Sequence, residues 1–188
     1  MLKQPSKLIS KTALKSNKPL QRISKPKTVK RRTLEQKTVQ QLIEPADEAF
    51  SRYVRLRDSE YSEDQWIGTC MTCTKTGVVA YIGDDGKLHF THVWNNGHFV
   101  ARGNFITRYE EENCNLQCAY RCNKMKSGEY VKYKAALKLK YGDDVPARLE
   151  ALADEFPART YHFSKEDLLQ IIKDSNEQID YYVRMATA

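Results

Sequence analysis

Apolar residues between positions 42 and 54 recur at spacings of three and four, which predicts one face of a helix. They are Leu42, Ile43, Ala46, Ala49, Phe50, Tyr53 and Val54. Proline is tolerated only in a first turn or at a kink, so Pro45 limits the firm part of this helix to 46–58. The other face carries Arg52, Arg55 and Arg57, which we expect to be solvated.

A β-hairpin is predicted after this helix. Residues 78–82 are rich in β-forming residues, 83–86 read Gly-Asp-Asp-Gly, and 88–94 alternate between apolar and polar. The alternation places His92 on one strand face with Phe90 and Trp94, and His89 on the other. Residues 95–123 are rich in glycine and asparagine and are predicted to be irregular.

Three helices are predicted beyond the irregular region, at 130–141, 145–156 and from Ser164 onward. The Ser164 hydroxyl and Asp167, three residues later, form a capping box. The last helix has an apolar stripe, which suits a core or a partner contact. The predicted fold class is therefore α+β, with an arm at 1–33, an N-terminal helix at 34–60, a core at 61–130 and a helical region at 131–188.

Charge is distributed unevenly along the 188 residues. Residues 1–40 hold twelve of the 31 Lys and Arg and one acid, while 41–188 hold 19 basic and 23 acidic residues. Three prolines interrupt the basic arm, so we expect it to be disordered until it binds a polyanion such as DNA. Lys30, Arg31 and Arg32 are the expected DNA contacts; a solubilising tail or targeting tract is the alternative.

No apolar run approaches the roughly 20 residues of a membrane span, and the basic N-terminus lacks the apolar segment of a secretory signal. We therefore expect a soluble protein with no membrane partner, located in the cytoplasm. Five cysteines in a reducing compartment make a poor disulfide framework.

The cysteine spacing indicates zinc instead. Cys70-x2-Cys73 and Cys118-x3-Cys122 offer four thiolates, which would close a tetrahedral structural Zn²⁺ site with bonds of ~2.3 Å. Cys114 could replace Cys118 as a ligand, but the 118/122 pair is tighter. We expect Cys114 to be a buried thiol.

Three polar residues around the second cysteine pair carry candidate chemistry. His98 can take a proton from water near neutral pH, since an imidazole has an ordinary pKa of ~6.5. Asn123 offers the oxygen ligand that Mg²⁺ prefers. Asn113 can accept a hydrogen bond from the histidine and orient it.

Residues 97–103, 113–118 and 122–128 together resemble the NinG/Rap family of phage recombination endonucleases. The helix at 50–58, the basic arm and the segment 133–142 are similar to that family too. The resemblance implies a zinc-stapled HNH, or ββα-metal, core and a metal-dependent endonuclease acting on branched DNA such as Holliday junctions and D-loops. The Cys122-Asn123 step is also similar to the endonuclease VII type of junction resolvase, in which that asparagine binds the catalytic metal.

The resemblance implies that His98 is the general base, that Asn123 binds catalytic Mg²⁺ or Mn²⁺, and that Asn113 orients His98. HNH enzymes usually place a metal-binding Asp or His before the base, whereas this chain has Gly97. The candidates for the missing ligand are His92, Asn95 and Asn96.

Other side chains near the motif have expected roles with ordinary alternatives. Arg102 and Lys126 are expected to bind phosphate, with solvated surface charges as the alternative. Tyr130 and Tyr133 could stack on unpaired bases, or simply pack their helix.

Resolving a symmetric junction requires two opposed cuts, so a homodimer is expected, with the C-terminal stripe as one possible interface. Other phage recombination proteins are further possible partners. The main alternative function is a non-catalytic zinc-ribbon DNA-binding accessory protein, and a third is an HNH homing or restriction nuclease.

Overall fold

The structure is a computed structural model that describes residues 32–158 and 160–187; the basic arm, with Lys30 and Arg31, lies outside the described residues. A 3-10 turn at Leu34–Gln36 precedes helix α1, Val39–Arg57. The prediction that Pro45 limits the helix to 46–58 is wrong, because α1 begins earlier and continues through the proline. A capping box starts it: Thr38 Oγ1 accepts from Gln41 N, and Gln41 Oε1 accepts from Thr38 N.

Four antiparallel strands follow α1 and pair in chain order. They are β1 (Ser59–Ser62), β2 (Gln65–Thr69), β3 (Thr76–Ile82) and β4 (Leu88–Phe90). The β3–β4 hairpin confirms the predicted turn at 83–86, whereas β1 and β2 were not predicted. Their turn consists of Glu63 and Asp64, both with positive φ, at 49° and 61°.

The predicted strand 88–94 is too long, because β4 ends at Phe90. Thr91 leaves the sheet edge with its N–H bonded to the Val79 carbonyl (2.9 Å) and its hydroxyl to the Val78 carbonyl (2.9 Å). His92 consequently lies exposed in a turn rather than on a strand face beside Phe90.

Residues 95–123 are also more regular than predicted. Strands β5 (Trp94–His98) and β6 (Cys114–Cys118) form a second, antiparallel sheet in which His98 is opposite Cys114. A π-helical turn at Ala119–Lys124 follows β6 directly. Every residue of β6 is buried, so this strand lacks the polar and apolar alternation that marks a half-buried strand.

The C-terminal helices confirm the prediction. They are α2 (Tyr130–Tyr141), α3 (Val145–Glu155) and α4 (Lys165–Thr187). The predicted capping box is present: Asp167 N donates to Ser164 Oγ at 3.0 Å, and Ser164 N donates to Asp167 Oδ2 at 2.8 Å.

The apolar stripe of α4 belongs to the core of this chain. Leu168 and Ile172 pack against Leu42, Ala46 and Ala49 of α1. Leu168 and Ile172 of the stripe are therefore covered within the fold, and the homodimer stays a prediction. The architecture is α+β, as predicted, and no helix among the described residues is long and apolar enough to cross a membrane.

Candidate metal centre and histidine cavity

Four cysteines lie together beside the β5–β6 sheet. The Sγ atoms of Cys70, Cys73, Cys118 and Cys122 all lie within 4.8 Å of one another, and those of Cys73 and Cys118 are 3.5 Å apart. A tetrahedron with Zn–S bonds of about 2.3 Å has edges of about 3.8 Å, so the spacing fits a metal. The predicted grouping of the two cysteine pairs is confirmed, and the cluster could hold a structural metal such as zinc.

Backbone elements bring these cysteines together from both sheets. Cys70 follows β2, and the turn after it is closed by Thr74 N donating to the Cys70 carbonyl at 3.1 Å. Cys118 ends β6, and Cys122 lies in the π-helical turn. Met71 N also donates to the Leu116 carbonyl at 2.9 Å, which ties the first cysteine turn to β6.

The electrostatics of the cluster suit a bound cation. Burial raises the pKa of Cys70, but hydrogen bonds from the Thr72 hydroxyl and from backbone N–H groups outweigh it and lower the pKa to about 6. Burial and the neighbouring thiols raise the pKa of Cys118 and of Cys122. Four thiolates this close repel one another unless a cation compensates them.

Cys114 lies outside the cluster, as predicted. It is fully buried against Phe50, Tyr53 and Val54, and its Sγ donates to the Arg108 carbonyl at 3.5 Å. Burial raises the pKa of this thiol well above its usual range. Cys114 is thus a core residue rather than a metal ligand.

A cavity of about 500 Å³ lies beside the cysteine cluster. Its lining includes His98, at the end of β5, and Asn123, in the π-helical turn that also carries Cys122. Arg102, Asn95 and Asn96 line it as well. The structure therefore brings His98, Asn123 and Arg102 to one cavity, whereas His92, Asn113 and Lys126 lie outside its lining.

His98 has a defined tautomer in this cavity. Its Nε2 lies 3.1 Å from the Arg108 carbonyl oxygen, which can only accept, so Nε2 carries the proton and Nδ1 keeps its lone pair. Burial and the charge of Arg102 lower the pKa of His98 to about 4, although the carbonyl and Asp47 oppose this shift. The imidazole is neutral at neutral pH.

Asn113 does not orient His98, contrary to the prediction. Its Oδ1 accepts from Val100 N at 2.7 Å, while its Nδ2 donates to the carbonyls of Val100 (3.1 Å) and Thr107 (2.9 Å). The side chain is fully buried and braces the loop between β5 and β6. The Arg108 carbonyl orients the imidazole instead, and a backbone acceptor leaves no signal in the sequence.

An ion pair holds that carbonyl in place. Arg108 donates to Asp47 from Nε (2.8 Å) and Nη2 (2.5 Å), and Tyr109 OH donates to Asp47 Oδ1 at 3.0 Å. Arg108 Nη1 also donates to the Arg102 carbonyl at 2.7 Å. The pair joins α1 to the loop beside His98, and sequence reasoning missed it because 61 residues separate its members.

Two asparagines that line this cavity each have an amide oxygen without a hydrogen-bond donor among the described residues. Asn123 Nδ2 donates to Gln117 Oε1 at 3.3 Å, and within the described residues Asn123 Oδ1 has no hydrogen-bond donor. Asn96 Oδ1 is buried and likewise lacks a partner there. Unsatisfied amide oxygens beside a neutral imidazole suit a hard divalent cation.

The other side chains that were predicted to contact DNA differ in their exposure and in their hydrogen-bond partners. The Arg102 side chain is 63% exposed at the cavity, with Nη1 3.8 Å from Asp47 Oδ2, and the Lys126 side chain is 47% exposed and pairs with Glu129 at 2.5 Å. Arg32 is exposed, and its Nη1 donates to Gln41 Oε1 at 3.4 Å. Tyr133 is buried with its hydroxyl bonded to the Gly97 carbonyl at 2.9 Å, so it packs the helix and cannot stack on a base.

Tyr130 remains exposed at the start of α2. Its ring stacks on Phe99, with centroids 5.1 Å apart, and its hydroxyl donates to Glu150. Both contacts lie within the chain, so helix packing accounts for its position.

The fold and the cysteine cluster together define a small α+β protein with a four-cysteine site that could hold a metal ion. The family model described as Bacteriophage Lambda NinG protein matches residues 2–182. The chain therefore belongs to the NinG family of bacteriophage proteins. No curated protein and no solved structure matches the chain.

Proposed function

We propose that this protein is a metal-dependent, structure-selective DNA endonuclease of the HNH type, which hydrolyses phosphodiester bonds in branched recombination intermediates such as Holliday junctions and D-loops. The observation that carries the proposal is the shared cavity of His98 and Asn123. His98 is neutral there with Nδ1 unprotonated, and Asn123 directly follows Cys122 of the cysteine cluster.

The order of elements supports this assignment. Strands β5 and β6 and the turn at Ala119–Lys124 give a strand–strand–helix succession, with His98 at the end of the first strand and Asn123 in the helical turn. This is the order in which an HNH core presents its base and its metal-binding residue. The three-residue spacer between Cys118 and Cys122 is accommodated by the π-helical turn.

The proton step follows from the geometry at His98. Nδ1 accepts the proton of an attacking water, while Nε2–H continues to donate to the Arg108 carbonyl and stabilises the imidazolium that forms. The Asp47–Arg108 pair holds the carbonyl, so the imidazole keeps its orientation during proton transfer. Arg102, exposed at the cavity, presents its planar fork to a phosphate.

The residues of the cavity fit Mg²⁺ or Mn²⁺. Asn123 Oδ1 is the donor that would hold such an ion. Asn95 is a further candidate, as is Asn96, whose Oδ1 is buried and has no hydrogen-bond partner among the described residues. When bound, the ion would supply Lewis-acid stabilisation of the charge that develops on the phosphate and the leaving oxygen. His92 is no longer a candidate ligand, because it does not line the cavity.

The cysteine cluster and the basic arm take supporting roles in this proposal. Zn²⁺ would be bound by the thiolates of both cysteine pairs, which leaves no open coordination position. It would therefore stabilise the fold rather than catalyse. The arm would supply salt-sensitive affinity for DNA, and two copies of the chain would make opposed cuts in a junction. The reaction would take place in the cytoplasm of the phage's host.

The proposal is tested on a four-way junction and on linear duplexes of identical sequence, with Mg²⁺ or Mn²⁺. We expect the junction to be cut and the duplexes to resist cutting. Equal cutting of both substrates would favour a homing or restriction type of HNH nuclease. Junction binding without any cutting would favour the zinc-ribbon accessory protein.

His98→Ala identifies the base in the same assay. We expect this variant to bind the junction but not cut it. His92→Ala is the matched control, because His92 is exposed and lies outside the cavity lining. It should cut as the wild type does.

A further inference from the structure

We propose that Gln117 is the positioning residue that fixes the Asn123 amide, and that position 97 is glycine because Gln117 occupies the space that a side chain there would need. This inference rests on the proposed function, since it assigns Asn123 Oδ1 to the divalent ion. It also accounts for Gly97, which stands where HNH enzymes usually carry a metal-binding residue.

The orientation of Gln117 is determined by its acceptors. Gln117 lies in β6 and is completely buried. One end of its amide lies 2.7 Å from the Gly128 carbonyl oxygen and 3.3 Å from Thr72 Oγ1. Because a carbonyl oxygen only accepts, this end is Nε2. Oε1 must therefore point the other way.

The direction of the Asn123 amide follows from that of Gln117. Gln117 Oε1 lies 3.3 Å from the Asn123 amide and can only accept, so the nitrogen Nδ2 of Asn123 faces it. Asn123 Oδ1 is left unpaired within the described residues and available to the cavity that Asn123 lines. Without the Gln117 acceptor, nothing in this chain of hydrogen bonds would distinguish the two ends of the Asn123 amide.

The Gln117 side chain also leaves room for nothing larger than glycine at position 97. A Cβ atom at position 97 would lie 2.3 Å from Gln117 Oε1 and 2.9 Å from Gln117 Cβ and Cδ. These distances are shorter than real Cβ contacts, and Gln117 cannot move away easily because it is buried and bonded at both ends. Gln117 thus excludes a ligand side chain at 97 and orients the ligand at 123.

The hydrogen bonds of Gln117 also connect the cysteine cluster to the histidine cavity. Thr72 lies between Cys70 and Cys73 in the first cysteine turn, and it accepts from the same Gln117 amide that holds Asn123. Loss of such an outer hydrogen bond typically weakens metal affinity 10- to 100-fold. We therefore expect Gln117 to affect Mn²⁺ affinity without contacting the base.

The test measures Mn²⁺ affinity by electron paramagnetic resonance on the zinc-loaded full chain, with zinc content and unfolding temperature recorded for each variant. Gln117→Met keeps the side-chain length and removes the hydrogen bonds. It should weaken Mn²⁺ binding about 10- to 100-fold, as expected for an outer-shell partner. Asn123→Ala is the reference for direct loss of the ligand.

Asn115→Ala is the matched control. Asn115 is an equally buried amide two residues earlier on the same face of β6, but it bonds Tyr133, Lys140 and Tyr141 rather than Asn123. It should be destabilised and yet keep wild-type Mn²⁺ affinity. Equal losses of Mn²⁺ affinity in Asn115→Ala and Gln117→Met would show a merely structural effect and overturn the inference.

Gly97→Ala tests the steric argument independently. It should weaken Mn²⁺ binding in the wild type by displacing Gln117, but have no further effect in a Gln117→Ala background, where the clash is gone. Equal effects in both backgrounds would overturn the account of Gly97, and wild-type Mn²⁺ affinity in Gln117→Met would overturn the positioning role alone. Unchanged Mn²⁺ binding in Asn123→Ala would instead remove the metal site and with it the proposed function.

Discussion

The cysteine cluster and the histidine cavity are adjacent but are built on different principles. The cluster consists of four side chains of one type, closed on themselves within 4.8 Å. The cavity is open and depends on groups of several kinds, including the Arg108 carbonyl and the Asp47–Arg108 pair. Because of this difference, the cluster can act as a structural support, while the cavity keeps polar atoms without hydrogen-bond partners beside His98.

Loss of one ligand of the proposed structural zinc should have the largest effect. Cys73→Ser removes one of four ligands, and binding of a structural Zn²⁺ contributes about 10 kcal/mol or more to the folding of small zinc domains. That is comparable with the whole stability of a domain, about 5–15 kcal/mol, so we expect the core to unfold. Circular dichroism and zinc content measure both consequences.

Cys114→Ala is the control for that experiment. It removes a buried thiol outside the cluster and should leave one zinc per chain, with only a moderate loss of stability. A folded, zinc-free Cys73→Ser protein would contradict the structural role of the cluster.

Breaking the Asp47–Arg108 pair should have the next largest effect. Asp47→Ala leaves the Arg108 guanidinium, whose side chain is only 9% exposed, without its carboxylate. We expect the free energy of unfolding to fall by about 2–3 kcal/mol, below the value for fully buried pairs because Asp47 is itself partly exposed. Chemical denaturation measures this loss.

An exposed ion pair on the same helix provides the comparison. Glu48 pairs with Arg52, and both side chains are at least half exposed. Glu48→Ala should change stability by less than about 1 kcal/mol. Equal losses in the two variants would contradict a special role for Asp47.

Deletion of residues 1–33 should separate DNA affinity from chemistry. The segment contains eleven of the twelve basic residues of positions 1–40, and each phosphate contact contributes about 0.9 to the slope of log affinity against log salt. We expect weaker junction binding with a flatter salt dependence, and an unchanged cutting rate at saturating protein. Loss of bound zinc on this deletion would contradict an arm that is independent of the core.

The titration of His98 should leave stability unchanged near neutral pH and lower it only in acid. The folded-state pKa of His98 is about 4, below the ordinary value of ~6.5, so the unfolded chain takes up a proton that the folded chain does not. This contribution to stability is present above pH ~6.5 and is lost as the pH falls toward 4. Denaturation of wild type and His98→Ala between pH 7.5 and 4.5 isolates it as a difference in slope.

The lowered pKa of His98 also predicts how the cutting rate depends on pH. A neutral imidazole persists well below neutral pH, so His98 itself should not limit the cutting rate between pH 7 and 5. A titration of the His98 C2 proton by NMR with a midpoint near 6.5 would contradict both expectations.

The fold was predictable where a hydrophobic periodicity extends over many residues and a capping or turn residue marks its end. Helices α2, α3 and α4 match their predicted spans closely, because periodicity, Gly142 and the Ser164 cap all agree. The β1–β2 hairpin was missed because Glu63 and Asp64 adopt positive φ without the glycine that usually signals such a turn. Strand β6 was missed because it is buried throughout.

The candidate site was predictable to the extent that residue type and spacing define it. The four cysteines follow from their spacing, and His98 and Asn123 from their place around the second pair. The Arg108 carbonyl was not predictable, since any residue supplies a carbonyl. Gln117 was not predictable either, because its importance depends on the close approach of Gly97 and Asn123 in the folded chain.

We propose that the cluster holds the fold while His98 carries out the chemistry beside it. The most direct test is the single-turnover cutting rate of His98→Ala on a four-way junction, with zinc content and junction affinity measured on the same preparation. We predict wild-type zinc content and affinity with a cutting rate lowered about 10²- to 10⁴-fold, the usual contribution of a general base. A wild-type cutting rate in this variant would contradict the claim.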